Sequence, residues 1–436
     1  MQKIRILSLS FKKIPLYFKR FSLSINLQEM TLLPFCMVFV SIVNMCLSLA
    51  SLEMQILSYM VLGGVILSFL FMLTLIIHSN KISRYGFMYF LFMSTLVGLS
   101  FVNQVDYKNA IYFSMAIWLN LMLFRYFSNR IKMILSSYAI ALSFCVYVNF
   151  AHLLANPMMW VVDDTKEAVG YLLGGNYNQM GCRMMIAVLT NWMCVKFSRL
   201  WMINFILVCT VGIATLAIVG SMTSLSMIIV FFAFCLVPSG KLRKIGIYSI
   251  FTAFVLFQVF VVFNGRGLEN NELAVYVIED VLKKDMTFTY RTYMWESALN
   301  IIEKSPIFGW GLPTSEGYDP NMSSFAIGPH NFILSILING GVVLLTLYIV
   351  ICVMTWRSIS SYMDRKDAQI LVFGLLALWF MSLMEMYPYT IMFFAMMLVS
   401  YYKYMPGVVN EKTTTNGGLK NENTDYERKY QQIDCH

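Results

Sequence analysis

Twelve apolar runs set what this chain can fold into, at about 31–50, 56–77, 85–102, 109–124, 131–154, 180–198, 200–218, 220–237, 245–263, 331–355, 368–384 and 388–402. A segment of ~20 apolar residues is the length that carries an α-helix across the bilayer core. Backbone in lipid must pair with itself, which restricts such segments to helices or closed barrels. Only 13% of the 436 residues are charged, 58% are hydrophobic and the mean hydropathy is +0.66. A soluble domain carries about 25% charged residues. The expected fold is therefore all-α, a polytopic membrane protein with about twelve transmembrane helices. The seventh and eighth runs are separated only by Gly220 and Ser221, and missing that break would invert everything after it.

The distribution of Lys and Arg gives an independent test of the count, because cytoplasmic loops carry the excess of positive charge. With the N-terminus placed inside, the inner segments hold 24 of these residues and the outer segments hold 7 (Lys108, Lys166, Arg266, Lys283, Lys284, Arg291 and Lys304). Arg183 lies within a span and completes the 32. Twelve helices with both termini cytoplasmic satisfy this at every loop. The chain divides accordingly into a basic, aromatic interfacial segment (1–30), transmembrane helices one to nine (31–263), a large outer loop (264–330), helices ten to twelve (331–402) and a polar tail (403–436) expected to be disordered. A shorter, acidic outer loop occupies about 155–179, and no cleavable signal sequence is expected, since the first run is long enough to span. The large loop carries two helix-like stretches, near 270–284 and 291–304. A loop longer than ~15 residues is commonly functional, and this one has helical periodicity and aromatic residues.

The net charge of +9 is scattered singly between apolar runs, which excludes nucleic acid as a partner. Eight of nine cysteines lie in apolar runs and no C-x-x-C pair occurs, so neither disulfides nor a thiolate metal site is expected. Walker, dinucleotide, H-E-x-x-H and D-x-D motifs are missing from the sequence, which argues against an ATP-driven machine or a metalloprotease. No cofactor and no metal are implied.

Histidine is the side chain suited to proton transfer near neutrality, and there are four. By the topology above, His78 faces the cytoplasm, His436 ends the tail, and His152 closes the fifth helix on the outer side. His330 stands where the large loop enters the tenth helix, as Pro329-His330-Asn331. It is either a base at headgroup level or an interfacial residue at a helix start. On the 291–302 stretch, Arg291, Trp295, Ala298, Leu299 and Ile302 share one face. Arg291 opens that helix, where backbone N–H groups favour an anion and a guanidinium would grip phosphate; the plainer reading stacks it on Trp295. Arg183 sits about one turn inside the sixth helix, either snorkelling outward or binding an anion. Glu385 interrupts Met384-Glu385-Met386-Tyr387-Pro388 and needs a cationic partner if buried. Ser221, Thr223 and Ser224 open the eighth helix, where helix–helix hydrogen bonding is their default role.

Taken in order, Arg291-x3-Trp295-x2-Ala298, Pro306-x2-Gly309-Trp310-Gly311, His330-Asn331-x2-Leu334 and Gly340-Gly341 resemble the signature of the O-antigen ligase and O-antigen polymerase superfamily. The signature covers about 60 residues, and the helix number and loop position agree over most of the chain. Asn176-Tyr177-Asn178 resembles an Asn-rich stretch of the family, and Glu385 an acidic residue often found near its C-terminal end. One departure is Gly220-Ser221-Met222-Thr223-Ser224, with Met222 where the family often places Arg. Another cation, Arg183 or Arg266, would then supply the charge, or pyrophosphate binding differs.

The resemblance implies a membrane-embedded, metal-independent glycosyltransferase of the bacterial inner membrane, working on its outer face. The donor would be a polyprenyl-pyrophosphate-linked glycan and the acceptor a hydroxyl. Arg291 would hold pyrophosphate and His330 activate the acceptor. Arg183, Arg266, Trp295, Asn331, Asn178 and Glu385 are the candidate pyrophosphate- and glycan-binding residues. Membrane lipid, a chain-length regulator and a flippase of the same pathway are the implied partners. A polymerase of surface polysaccharide is the favoured reading, because polymerases are the more sequence-diverse group. The alternatives are a ligase moving glycan to lipid A-core or protein, a flippase for lipid-linked sugars, and a purely structural assembly protein.

Overall fold

The computed structural model describes residues 32–49, 54–79, 83–156, 171–175, 177–264, 291–313, 328–405 and 408. The interfacial N-terminus, the 270–284 stretch, Arg266, Asn176 and nearly all of the polar tail lie outside the described residues.

Among those described, thirteen α-helices follow one another: α1 (Leu32–Cys46), α2 (Gln55–Ser79), α3 (Arg84–Val102), α4 (Tyr107–Tyr126), α5 (Ile131–Ala155), α6 (Tyr177–Cys194), α7 (Arg199–Ile218), α8 (Met222–Leu236), α9 (Gly240–Phe260), α10 (Arg291–Lys304), α11 (Phe332–Ile359), α12 (Lys366–Met381) and α13 (Tyr389–Ser400). The described residues form no β-strand; two isolated bridges, Leu47 with Leu173 and Tyr171 with Gly175, pin the 171–175 turn beneath the end of α1. Each of the twelve apolar runs contains one helix, and α10 is the helix foreseen in the outer loop. Helices α7 and α8 part at Gly220, which takes a left-handed φ of +73°.

Among the described residues, six helices are long and apolar enough to cross a membrane by length and composition, and α1, α8 and α13 are shorter apolar helices. At 1.5 Å per residue the 12 residues of α13 rise only about 18 Å. Every one of those residues is buried. Fourteen residues of α6 are buried as well, so α6, α12 and α13 form the centre of the bundle while α2 and α9 present apolar faces outward. An aromatic cluster joins α3, α11 and α13: Phe92 meets Phe393 and Tyr389 at 5.0 and 5.6 Å, and Phe332 meets Tyr389 at 5.4 Å and Tyr348 at 5.5 Å. Such edge and offset contacts add to the area that each ring buries.

Segments expected on the outer side gather at one end of the bundle. There the Ser48 N–H donates to the Leu172 carbonyl, and the Leu312 N–H donates to Ser100 Oγ. At the other end, Lys196 pairs with Asp367 at 2.6 Å and Lys244 with Asp364 at 2.7 Å, while Arg125 donates to the Tyr404 hydroxyl.

Helix α11 is broken. Gly340 (φ −152°, ψ 16°) and Gly341 (φ 58°, ψ −156°) leave the helical region in mid-span. Breaking a helix orphans carbonyls before the gap and N–H groups after it, which is costly away from water. The Pro306–Gly311 turn after α10 inserts there and takes up both sets. Trp310 N–H donates to Ile338 O (2.7 Å) and Gly311 N–H to Asn339 O (2.9 Å). Val342 N–H donates to Pro306 O (2.9 Å) and Val343 N–H to Ile307 O (3.2 Å). Backbone approaches backbone so closely that a Cβ at Gly309 would lie 2.4 Å from Ile338 O, and one at Gly341 2.3 Å from Ile307 O. Both glycines also hold positive φ, so both positions require glycine for two reasons at once.

Candidate functional site

The tenth apolar run begins with an N-cap. Asn331 Oδ1 accepts from the Leu334 N–H at 2.9 Å, fixing the start of α11. Its Nδ2 donates to Gln258 Oε1 of α9 (2.9 Å) and to the Leu383 carbonyl (3.1 Å). The Phe332 N–H donates to Ser382 O. Asn331 is wholly buried, and its amide ties α9, α11 and the segment after α12 together. It positions its neighbour rather than presenting a polar group to a ligand.

That neighbour is His330, held at φ +44°. A non-glycine residue there stores about 1–3 kcal/mol of strain, tolerated where surrounding structure over-determines it and frequent at functional sites. Its Nδ1 lies 3.2 Å from Glu385 Oε2. The Glu385 side chain is 8% exposed and the imidazole 27%. A carboxylate accepts, so Nδ1 carries the hydrogen and Nε2 is left as the proton acceptor. The question of depth at Glu385 is thereby answered. It sits in the non-helical 382–388 link between α12 and α13, buried, with His330 as its described side-chain partner; its Oε1 accepts from the Met386 N–H at 3.2 Å.

The residues on either side of Glu385 are held too. Arg291 Nε donates to the Met384 carbonyl at 2.9 Å, so the helix-opening arginine of the outer loop reaches the same turn as His330. Gln179 Nε2 comes within 3.5 Å of the Met386 carbonyl. Arg183 Nη1 in turn donates to Gln179 O (3.0 Å) and Oε1 (3.3 Å), and its Nε to Met45 O (3.3 Å). Three consecutive residues, Met384 to Met386, thus gather contacts from α10, the start of α11 and α6.

Arg183 does not snorkel. It is 7% exposed, folded beneath Gly174, where a Cβ would lie 2.7 Å from Nη1. Its described partners are neutral oxygens and the Cys182 sulfur, with no carboxylate among them, and no described residue accepts from Nη2. It lines a cavity of about 350 Å³ together with Asn44, Gln179, Ser335, Asn339 and Tyr389. A buried cation facing only dipoles favours an anion in the space beside it.

Trp295 is also wholly buried, packed with Val262, Ala298, Leu334 and Ile338 in a small second core, and edge-on to Phe257. It docks α10 on α9 and α11. Asn178 falls inside α6, because the helix starts at Tyr177, three residues before the apolar run does; it is half-buried. Met222 is 66% exposed on the outside of the bundle, away from the cavity that Arg183 lines. Burial pushes the Tyr387 hydroxyl well above its ordinary range, so it stays a neutral hydrogen-bonding group at the cavity wall.

Sequence reasoning missed Gln179, Gln258, Ser335 and Asn339. A signal was present: Asn331, Ser335 and Asn339 recur every fourth residue through an otherwise apolar run, a polar stripe on one helix face.

Residues 205–349 match a family model described as O-antigen ligase. The matched segment contains Arg266, Arg291, Trp295, His330, Asn331 and both halves of the α11 interlock; Asn178, Arg183 and Glu385 lie outside it. No curated protein and no solved structure matches the chain. The resemblance to the O-antigen ligase and polymerase superfamily therefore holds for this segment, in a chain with six described helices long and apolar enough to cross a membrane.

Proposed function

From a membrane protein carrying an O-antigen ligase-type domain, we propose a polymerase of surface polysaccharide (O-antigen, capsule or exopolysaccharide) in the bacterial inner membrane. It extends one lipid-linked repeat unit with the glycan of another on the outer face. The convergence of His330 and Arg291, and of Arg183 through Gln179, on the Met384–Met386 turn is the observation that carries this reading.

In the proposed step, an acceptor hydroxyl oxygen attacks the anomeric carbon of the donor. The bond from that carbon to the pyrophosphate oxygen breaks, and its electron pair leaves with the polyprenyl pyrophosphate. The hydroxyl proton passes to His330 Nε2, and Glu385 stabilises the imidazolium that results. Negative charge grows on the leaving group, where Arg183 in its cavity and Arg291 at the start of α10 stabilise it; fixed cations of this kind work without a metal. Asn331 and Trp295 hold the loop and helix that carry these groups. Arg266 and Asn178 complete the proposed binding set. Arg183 takes the part of the arginine that Met222 replaces, which marks the chain as a divergent member and supports polymerase over ligase. The family description favours the ligase, which would use the same site with lipid A-core or protein as acceptor.

The test is glycan length on a gel, in cells lacking the protein and complemented with wild type, His330→Ala or Arg291→Ala at matched membrane levels. Single-repeat glycans with either variant are expected. Long chains that stay on the lipid carrier would make the protein a ligase, and unaltered glycans would return it to the transporter class.

A further inference from the structure

A second cavity, of about 290 Å³, lies at the opposite end of the bundle from His330. The two ends of α6 show the separation. Gln179, in its first turn, reaches the Met386 carbonyl, whereas Trp192 and Lys196 at its far end line this second space. The fifteen residues of helical rise from Gln179 to Cys194 put the two ends about 22 Å apart.

The walls of the cavity are apolar: Trp192, Met193, Val195, Leu371 and Met405. Its mouth is cationic. Lys196 and Lys366 line it with Asp367, and Arg365 adjoins. The single carboxylate is already engaged, by Lys196 at 2.6 Å, by Arg365 at 3.6 Å and by the Tyr402 hydroxyl. Lys366 is exposed and makes no hydrogen bond or ion pair with a described carboxylate. Among the lining residues, two lysines against one carboxylate leave the mouth net positive. The start of α12 adds to this: Lys366 and Asp367 are its first residues, and the Arg365 side chain makes no capping bond, so the positive end of a 16-residue helix also faces the mouth.

We propose that this cavity is a binding site for an anionic phospholipid. The phosphate would rest between Lys366, Lys196 and the α12 N-terminus, and an acyl chain would lie along the Trp192–Leu371 wall. An apolar slot with a basic rim complements an amphiphile with one negative head. The positive-inside count places this rim at the cytoplasmic surface, where acidic lipids concentrate and basic pockets between helices hold their headgroups. The site is independent of the chemistry at the other end and would stand whichever glycan acceptor proves correct.

The test uses the full-length protein in neutral detergent, with dioleoylphosphatidylglycerol, dioleoylphosphatidylcholine or glycerol 3-phosphate as probes. Retained lipid is read by native mass spectrometry and protection by the thermal midpoint. Phosphatidylglycerol should be retained and should raise the midpoint, while the other two should not. Lys366→Gln should weaken phosphatidylglycerol about fivefold, the contribution of one basic residue, with an unchanged midpoint in the absence of lipid. Val195→Trp, which fills the slot and keeps the charges, should abolish retention. Equal protection by phosphatidylcholine would overturn the headgroup assignment, and equal protection by glycerol 3-phosphate would reduce the site to one for a free phosphate. Binding unmoved by Lys366→Gln, or a lack of any lipid selectivity because residues 409–436 already fill the slot, would overturn the proposal outright.

Discussion

At the scale of the residue, the site is built around a contradiction that the backbone resolves. His330 sits in a conformation that a histidine rarely adopts, and the Asn331 clamp beside it holds it there. The partner on its Nδ1 is the carboxylate most buried among the described ion pairs. Glu385→Gln keeps the shape and removes the charge that balances an imidazolium. Turnover of lipid-linked substrate by the purified variant should fall by roughly 10²-fold, the low end of what acid–base participation contributes, with KM little changed. A large rise in KM with unchanged kcat would instead make Glu385 a binding residue. At the far end of the bundle, burial pushes the Asp367 carboxyl up, but the Lys196 ammonium and the Tyr402 hydroxyl outweigh it and hold the group below its usual range. A carboxylate lowered on folding stabilises above its unfolded value of about 4 and loses that contribution as pH falls through its folded value. The thermal midpoint of wild type should therefore drop more steeply on acidification below pH 4 than that of Asp367→Asn. Arg183 and Glu385 stand out in the sequence because each charge interrupts apolar text, and Arg291 and His330 because each stands at a helix start bordering the outer loop. Trp295 and Asn331 read the same whether they touch ligand or hold helices together, and only their burial decides. Gln179 and Gln258 act through neighbours that are 207 and 73 positions away, which no local pattern reveals.

At the scale of the element, every apolar run became a helix, since uninterrupted hydrophobicity of that length leaves the backbone few other solutions. The break in α11 was hidden for the same reason. Gly340 and Gly341 stand in a run that is apolar apart from its polar stripe and continues apolar beyond them, and the groups that complete the gap arrive from Pro306 to Gly311. Gly309→Ala and Gly341→Ala each place a Cβ on opposing backbone at positive φ. Each should lower stability by at least about 1–3 kcal/mol in detergent unfolding, and should open the 306–313 turn to protease. The double variant should cost less than the sum of the two, because both act on one joint. Strict additivity would mean that the two glycines serve separate structures.

At the scale of the whole molecule, the positive charges divide between two ends, and the described contacts bring the segments of each set together. Twelve spans with both termini inside predict a labelling pattern. Single cysteines placed at Asp164 and Lys283 should react with an impermeant reagent in intact cells. Cysteines at Leu242, Met363 and Thr413 should react only after the membrane is opened. Labelling of Leu242 from outside would show that α7 and α8 cross as one unit and that the count is wrong. The short helix α13 was not legible as short from the sequence, because apolar text continues into the buried residues Tyr401 and Tyr402 after it.

The joint in α11 also bears on how such proteins can be recombined. Its two halves, 306–311 and 338–343, are matched backbone group to backbone group, with no side chain to adjust a poor fit. An outer loop exchanged alone between relatives would meet a foreign socket, whereas one exchanged together with the first half of the receiving helix would carry its own. Functional chimeras should therefore join within the second half of α11, beyond Val343, and not at the loop's visible border before His330.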